Sequence, residues 1–167
     1  MLILAYIFVF GLVFGSFLNV LIYRWSHNES PFKGRSICPK CKHRISWQNN
    51  IPLVSFFWLH GKCAYCKHKI SWHYPLIELL TGSLFIWWYV VSGAFFTLHG
   101  NYLEIVQPIF WLTIGMLLMV VFFSDLWFGV IPDIVNGLLL SSTLLYRVFL
   151  VWSNQMQYKD FVGGVVA

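Results

Sequence analysis

Four runs of apolar residues, 2–23, 74–91, 108–124 and 134–152, each meet or approach the roughly 20 residues that a helix needs to cross a bilayer. So much apolar length cannot be hidden inside one compact water-soluble domain of 167 residues. Charged residues make up only 10% of the chain, against roughly 25% in average soluble domains. The mean hydropathy of +0.70 points the same way. A disordered chain, a secreted disulfide scaffold and a water-soluble enzyme are thereby excluded. The first run is a retained span rather than a signal peptide, because no Lys or Arg precedes it, its apolar stretch is too long, and no small-residue cleavage site follows. The closing 161–167 is apolar but too short to cross, and reads as the start of a fifth span in a truncated chain. The expected fold is an all-α polytopic membrane protein with about four transmembrane helices and one extramembrane loop, 24–73.

The basic residues lie almost entirely in that loop. Arg24, Lys33, Arg35, Lys40, Lys42, Arg44, Lys62, Lys67 and Lys69 are nine of the eleven, whereas 92–107 has none. The positive-inside rule therefore places 24–73 and the turn at 125–133 in the cytoplasm, and the N-terminus and 92–107 outside. With Glu29 as its single acid, the loop carries a net +8. Anionic membrane lipid or an acidic substrate is the natural partner of such a surface.

All four cysteines fall in the loop, as Cys38-x-x-Cys41 and Cys63-x-x-Cys66. In a reducing compartment two such pairs read as a metal site rather than as disulfides. A repeat supports this reading. Cys38-Pro-Lys-Cys-Lys-His-Arg-Ile-Ser-Trp47 returns 25 residues later as Cys63-Ala-Tyr-Cys-Lys-His-Lys-Ile-Ser-Trp72, identical at seven of ten positions. Two knuckles with two thiolates each complete the tetrahedral set of a structural zinc. His43 and His68 are alternative ligands by proximity, but four sulfurs already fill the sphere, so both read as surface residues. A segment this polar has little core of its own, and the metal supplies what burial cannot.

Ionisable groups within spans are costly and so default to functional hypotheses. Glu78 lies about one turn inside the second span, where an ion pair with Lys69 or His73 competes with a chemical role. Asp133 follows Pro132 and precedes a long apolar run, as a helix N-cap does. Asp125 closes the third span, where a carboxylate opposes the helix dipole. A carboxyl at the lipid boundary is suited to general acid or base work.

The runs Gly15-Ser-Phe-Leu-Asn-Val-Leu-Ile-Tyr-Arg24, Cys38-Pro-x-Cys41, Ile45-Ser-Trp-Gln-Asn-Asn-Ile-Pro-Leu53, Gly61-Lys-Cys-x-x-Cys66, Tyr74-Pro-Leu-Ile-Glu-Leu-Leu-Thr-Gly82 and Asp125-x6-Pro132-Asp133, in this order, closely resemble those of the type IV prepilin peptidases. The resemblance implies a multi-pass aspartyl protease of the bacterial inner membrane. Such an enzyme cleaves the basic leader of prepilins and pseudopilins of type IV pili or type II secretion at the cytoplasmic face. It also N-methylates the new terminus with S-adenosylmethionine. It further implies that Asp125 is catalytic, with Asp133 and Glu78 accessory, and that 74–167 belongs to the peptidase region. The family's second catalytic aspartate, in a later G-x-G-D motif, has no counterpart here. A fragment that is inactive in cleavage on its own is therefore expected. No G-x-G-x-x-G fingerprint marks a cofactor site, so the cofactor-binding residues stay unassigned.

Two other classes compete. A noncatalytic membrane-tethered zinc adaptor would use the basic loop to bind acidic lipid, nucleic acid or a secretion partner, with Trp47, Tyr65 and Trp72 as stacking faces. Nucleic acid is disfavoured by the scattered charge and the double tether to the bilayer. An ion transporter would relay protons between Glu78 and Asp125, but both lie near one interface.

Overall fold

A computed structural model describes residues 1–32, 34–96 and 103–154. The chain runs as α1 (Leu2–Ser26), a 3-10 turn (Trp47–Asn50), a short α2 (Val54–Trp58), α3 (His73–Phe96), α4 (Leu103–Phe128) and α5 (Asp133–Trp152). Four segments are long and apolar enough to cross a membrane: Leu2–Ser26, His73–Ser92, Val106–Phe128 and Asp133–Trp152. Among the described residues no strand forms, and backbone pairing is limited to two isolated bridges in the loop. The expected all-α membrane fold is thus observed. The start of a fifth span, expected at 161–167, lies outside the described residues.

α1 and α3 are antiparallel and unusually close, because glycines remove the side chains that would hold them apart. A Cβ on Gly11 would lie 2.8 Å from the Gly82 Cα, and one on Gly15 would lie 2.7 Å from the Glu78 Cα. Gly11-x-x-x-Gly15 is the small-residue spacing that lets membrane helices approach backbone to backbone. Asn19 exploits this closeness, its side-chain N–H groups donating to the Tyr74 carbonyl at 3.1 Å and to the Gly15 carbonyl at 3.3 Å.

The core sits at one end of the bundle. Leu18, Leu21, Ile22 and Trp25 of α1, Ile77 of α3, Val120 and Phe123 of α4, and Val135 of α5 form one buried cluster. These residues border the 27–72 loop and the 129–132 turn, so all four helices converge beneath the extramembrane segments. At the opposite end the Trp88 indole donates to the Pro108 carbonyl at 2.7 Å, tying α3 to α4. α5 leans on α4 through Phe110 and Tyr146, stacked at 4.0 Å.

Two local expectations are corrected. The third apolar helix starts at Leu103 rather than at 108 and carries Pro108 inside it. Near a helix start only one intrahelical bond is lost to proline, and the turn survives. The same helix continues to Phe128, so Asp125 lies within its last turn, and its carbonyl accepts the Gly129 N–H at 2.8 Å. Asp133 is not the N-cap of α5. Pro132 holds that position with extended backbone, no side-chain cap bond forms, and Asp133 is the first helical residue. There its charge complements the positive end of the dipole rather than filling an orphan N–H.

Candidate metal centre and carboxylates

The sequence repeat is a backbone repeat. In the first knuckle Cys38 N–H donates to the His43 carbonyl at 3.0 Å, Lys42 N–H to Cys38 at 2.9 Å, and Ile45 N–H to Ser36 at 2.9 Å. In the second, Cys63 N–H donates to His68 at 2.8 Å, Lys67 N–H to Cys63 at 3.0 Å, and Ile70 N–H to Gly61 at 2.7 Å. Lys42 and Lys67 share a φ of +58°. That left-handed residue turns each chain back after its second cysteine.

The two knuckles face each other and bring Cys38, Cys41, Cys63 and Cys66 together, all four sulfurs lying within 4.8 Å of one another. Cys38 Sγ and Cys66 Sγ are 3.8 Å apart, and all four are free thiols. Ligands about 2.3 Å from a tetrahedral zinc stand about 3.8 Å from each other, so the donor set fits that ion. Cys38 and Cys63 are buried and Cys41 and Cys66 exposed. The thiols differ in acidity. The Cys41 N–H aimed at the Cys38 sulfur, helped by the Lys40 N–H and by the Cys41 and Cys63 thiols, outweighs burial and brings Cys38 down to about 7. Cys66 has the His68 N–H to favour its thiolate, yet desolvation and the three other thiols hold it up at about 11. Such crowding of anions is what a dication relieves. His43 is not a ligand. Its ring lies 3.7 Å from that of Tyr65, stitching one knuckle to the other, and His68 is exposed.

Glu78 is buried and hydrogen-bonds the loop backbone rather than forming the expected ion pair. Its Oε2 accepts the backbone N–H of Leu53 at 2.8 Å. It pairs with neither Lys69 nor His73; the latter stacks on Trp127 of α4 at 4.1 Å. Leu53 itself adopts φ +57°, ψ −50°, and Val54 N–H reaches back to the Pro52 carbonyl at 2.6 Å. This is the rare, strained form of γ-turn, and such strain persists only where surrounding contacts over-determine it.

Asp125 and Asp133 flank the 129–132 turn, and both are exposed. Around the same end, Tyr23 and His27 stack at 4.4 Å and Phe128 closes on His27 at 5.2 Å. The structure brings the four cysteines together, puts the two aspartates beside one turn, and commits Glu78 to the loop backbone. Asn19, Gly15 and the Leu53 N–H were not found by sequence reasoning. The Gly11/Gly15 spacing was a usable signal for the first two. A backbone donor leaves no signal in sequence.

A helical membrane protein with a four-thiol centre between its first two spans, and exposed carboxylates at the same end of its bundle, is the class defined by this arrangement. The family model described as "Bacterial Peptidase A24 N-terminal domain" matches residues 9–92. The chain is 46% identical over 81 residues to the prepilin leader peptidase/N-methyltransferase of Myxococcus xanthus, covering 48% of this chain and 24% of that protein. It is 42% identical over 88 residues to the one from Klebsiella pneumoniae, covering 49% and 39%. Against the one from Aeromonas salmonicida it is 30% identical over 207 aligned positions, covering 93% of this chain and 68% of that protein. The chain belongs to the bacterial A24 prepilin peptidase family. It spans 24% and 39% of the length of the first two of these relatives. No solved structure matches it.

Proposed function

We propose that this chain supplies the zinc loop and one catalytic carboxylate of a prepilin leader peptidase of the bacterial inner membrane. Its N-terminus lies outside, and the loop and the 129–132 turn lie at the cytoplasmic face. One observation carries this reading: the four-thiol loop, Asp125 and Asp133 converge on a single end of a membrane-spanning bundle in a member of the A24 family.

Asp125 acts as the base that takes a proton from water as its oxygen attacks the scissile carbonyl of the leader. The collapsing tetrahedral intermediate then needs a second carboxyl group to protonate the leaving amine, which one carboxylate cannot do in the same step. Family resemblance assigns that role to an aspartate of a G-x-G-D motif and makes Asp133 accessory. Cys38, Cys41, Cys63 and Cys66 hold a structural zinc; with four sulfurs bound it has no open position for water. Glu78 positions the loop through Leu53.

S-adenosylmethionine is the methyl donor implied by the family. A half-open hollow of about 350 Å³ beside α2, lined by Gln48, Asn49, Ile51, Val54, Ser55, Trp58 and Leu59, offers two amides and a hydroxyl but no carboxylate to face a sulfonium. These residues do not fit that cofactor, and no step is assigned through it.

The test is to incubate the purified chain in lipid with a prepilin, alone and with a separately expressed C-terminal half of a relative carrying G-x-G-D. Leader cleavage with both halves together is expected. Efficient cleavage by the chain alone would make Asp133 or another group the second carboxyl. No cleavage under either condition, with zinc bound and both halves folded, would favour the adaptor.

A further inference from the structure

α2 is amphipathic in an unusual sense. Phe56 is buried against the second knuckle, its ring 4.8 Å from that of Trp72. Val54, Phe57 and Trp58 point outward, with Trp58 80% exposed, and Trp47 just before them is 75% exposed. A cluster of large exposed aromatics within a basic loop marks a contact surface, and the Glu78 hydrogen bond says what it touches.

Two rulers fix the height of the Leu53 turn. On α3, Glu78 lies five residues inside the spanning segment that begins at His73, about 7 Å along the axis. On α1, the Glu78 Cα is level with Gly15, nine residues before Arg24, the first basic residue of the chain, or about 13 Å below it. A side chain on α3 leans back toward the helix start by at most about one turn, or 5 Å. Leu53, whose N–H is held at 2.8 Å by Glu78, therefore lies below the level of Arg24. α2 begins at the next residue.

We infer that Trp47, Val54, Phe57 and Trp58 form an interfacial wedge that inserts into the chain's own bilayer at the cytoplasmic headgroup and acyl boundary, drawn down by the Glu78–Leu53 hydrogen bond. Its occupant is anionic lipid. Tryptophan is favoured at this depth, and the exposed Lys40, Lys42, Arg44, Lys62, Lys67 and Lys69 of the knuckles match anionic headgroups in charge. The strained γ-turn follows from this arrangement. It drops the chain from the knuckles to the Glu78 carboxylate and turns it back along the membrane surface. This inference rests on the membrane-spanning bundle and on the orientation proposed above, not on the peptidase reading.

The test reconstitutes the full chain in vesicles of phosphatidylethanolamine and phosphatidylglycerol, with photoreactive p-benzoylphenylalanine at 58, 65 or 87, and counts lipid adducts by mass spectrometry. Trp87, 61% exposed within the α3 span, sets full lipid contact, and Tyr65, among the headgroup-facing lysines of the second knuckle and outside the acyl region, sets the lower reference. Adduct yield at 58 should approach that at 87 and exceed that at 65 by on the order of tenfold. Equal yields at 58 and 65, whether both low or both high, would overturn the inference. Zinc content confirms that each variant has folded. Independently, Trp58→Phe should reduce the fluorescence quenching caused by lipids brominated near the headgroup end of the chain. Unchanged quenching would also overturn the wedge.

Discussion

The α1–α3 pair and the α4–α5 pair are built from comparably apolar helices, yet they are held in different ways. The first pair is backbone against backbone at Gly11, Gly15 and Gly82, crosslinked by Asn19, and tied to its loop by Glu78. The second has side-chain contacts such as Phe110 on Tyr146 and leaves broad faces open. Of the spanning window of α3, 39% is buried within the protein, against 6% for α5. Geometry is thus invested where the loop must be positioned, whereas the exposed aspartates sit on helices whose outer faces lack protein partners among the described residues. In a membrane, tight packing marks helices that must keep one registration. Loosely covered helices with charged ends mark a surface that meets something else.

The most severe way to break the rigid half is to remove its metal. Cys38→Ser, or chelation of the wild type, should abolish zinc binding and unfold the knuckles, because structural zinc supplies on the order of 10 kcal/mol to segments with little core. Metal analysis and limited proteolysis check this, with about one zinc per chain expected in the wild type. Ligands bind as thiolates, so zinc uptake should release protons, and loading should weaken as pH falls. Cys66, held up at about 11, should contribute to that proton release.

Next in size is the helix contact. Gly15→Leu places a side chain where even a Cβ meets the Glu78 Cα at 2.7 Å, and backbone cannot move aside as a side chain can. A loss of about 3 kcal/mol is expected, read by unfolding in mixed detergent, with the Glu78–Leu53 bond lost as well. Asn19→Leu keeps the shape but deletes the bond to Tyr74, and should cost about 1 kcal/mol. An equal or larger loss for Leu139→Ala, on α5 and packed against the shared buried cluster, would blur the contrast between the pairs. The smallest effect is expected at Asp133→Asn, about 0.5 kcal/mol or less in thermal stability, since only a dipole interaction is weakened and no cap bond exists to lose.

The long apolar runs and the repeated Cys-x-x-Cys knuckles were legible in the sequence because each depends on local pattern alone. Apolar length sets a span, and a ten-residue repeat sets two equal half-sites. The ends of α4 were not legible. Pro108 reads as a start, but one absent hydrogen bond near a helix terminus does not stop it, and helical packing carries the chain on to Phe128. Glu78 was recognised as special while its partner was missed, because ion-pair reasoning surveys side chains and Leu53 answers with its backbone. Asp133 next to Pro132 read as a cap, yet the proline itself takes the extended cap position.

The loop is proposed to be structural, and the proton transfer to be carried by Asp125. The most direct measurement is prepilin leader cleavage by Asp125→Asn, assembled with a relative's C-terminal half, with zinc content determined on the same sample. The amide preserves shape but cannot take the proton from water, so cleavage should fall by several orders of magnitude while about one zinc per chain is retained. Cleavage at the wild-type rate by a zinc-loaded Asp125→Asn chain would remove Asp125 from the chemistry.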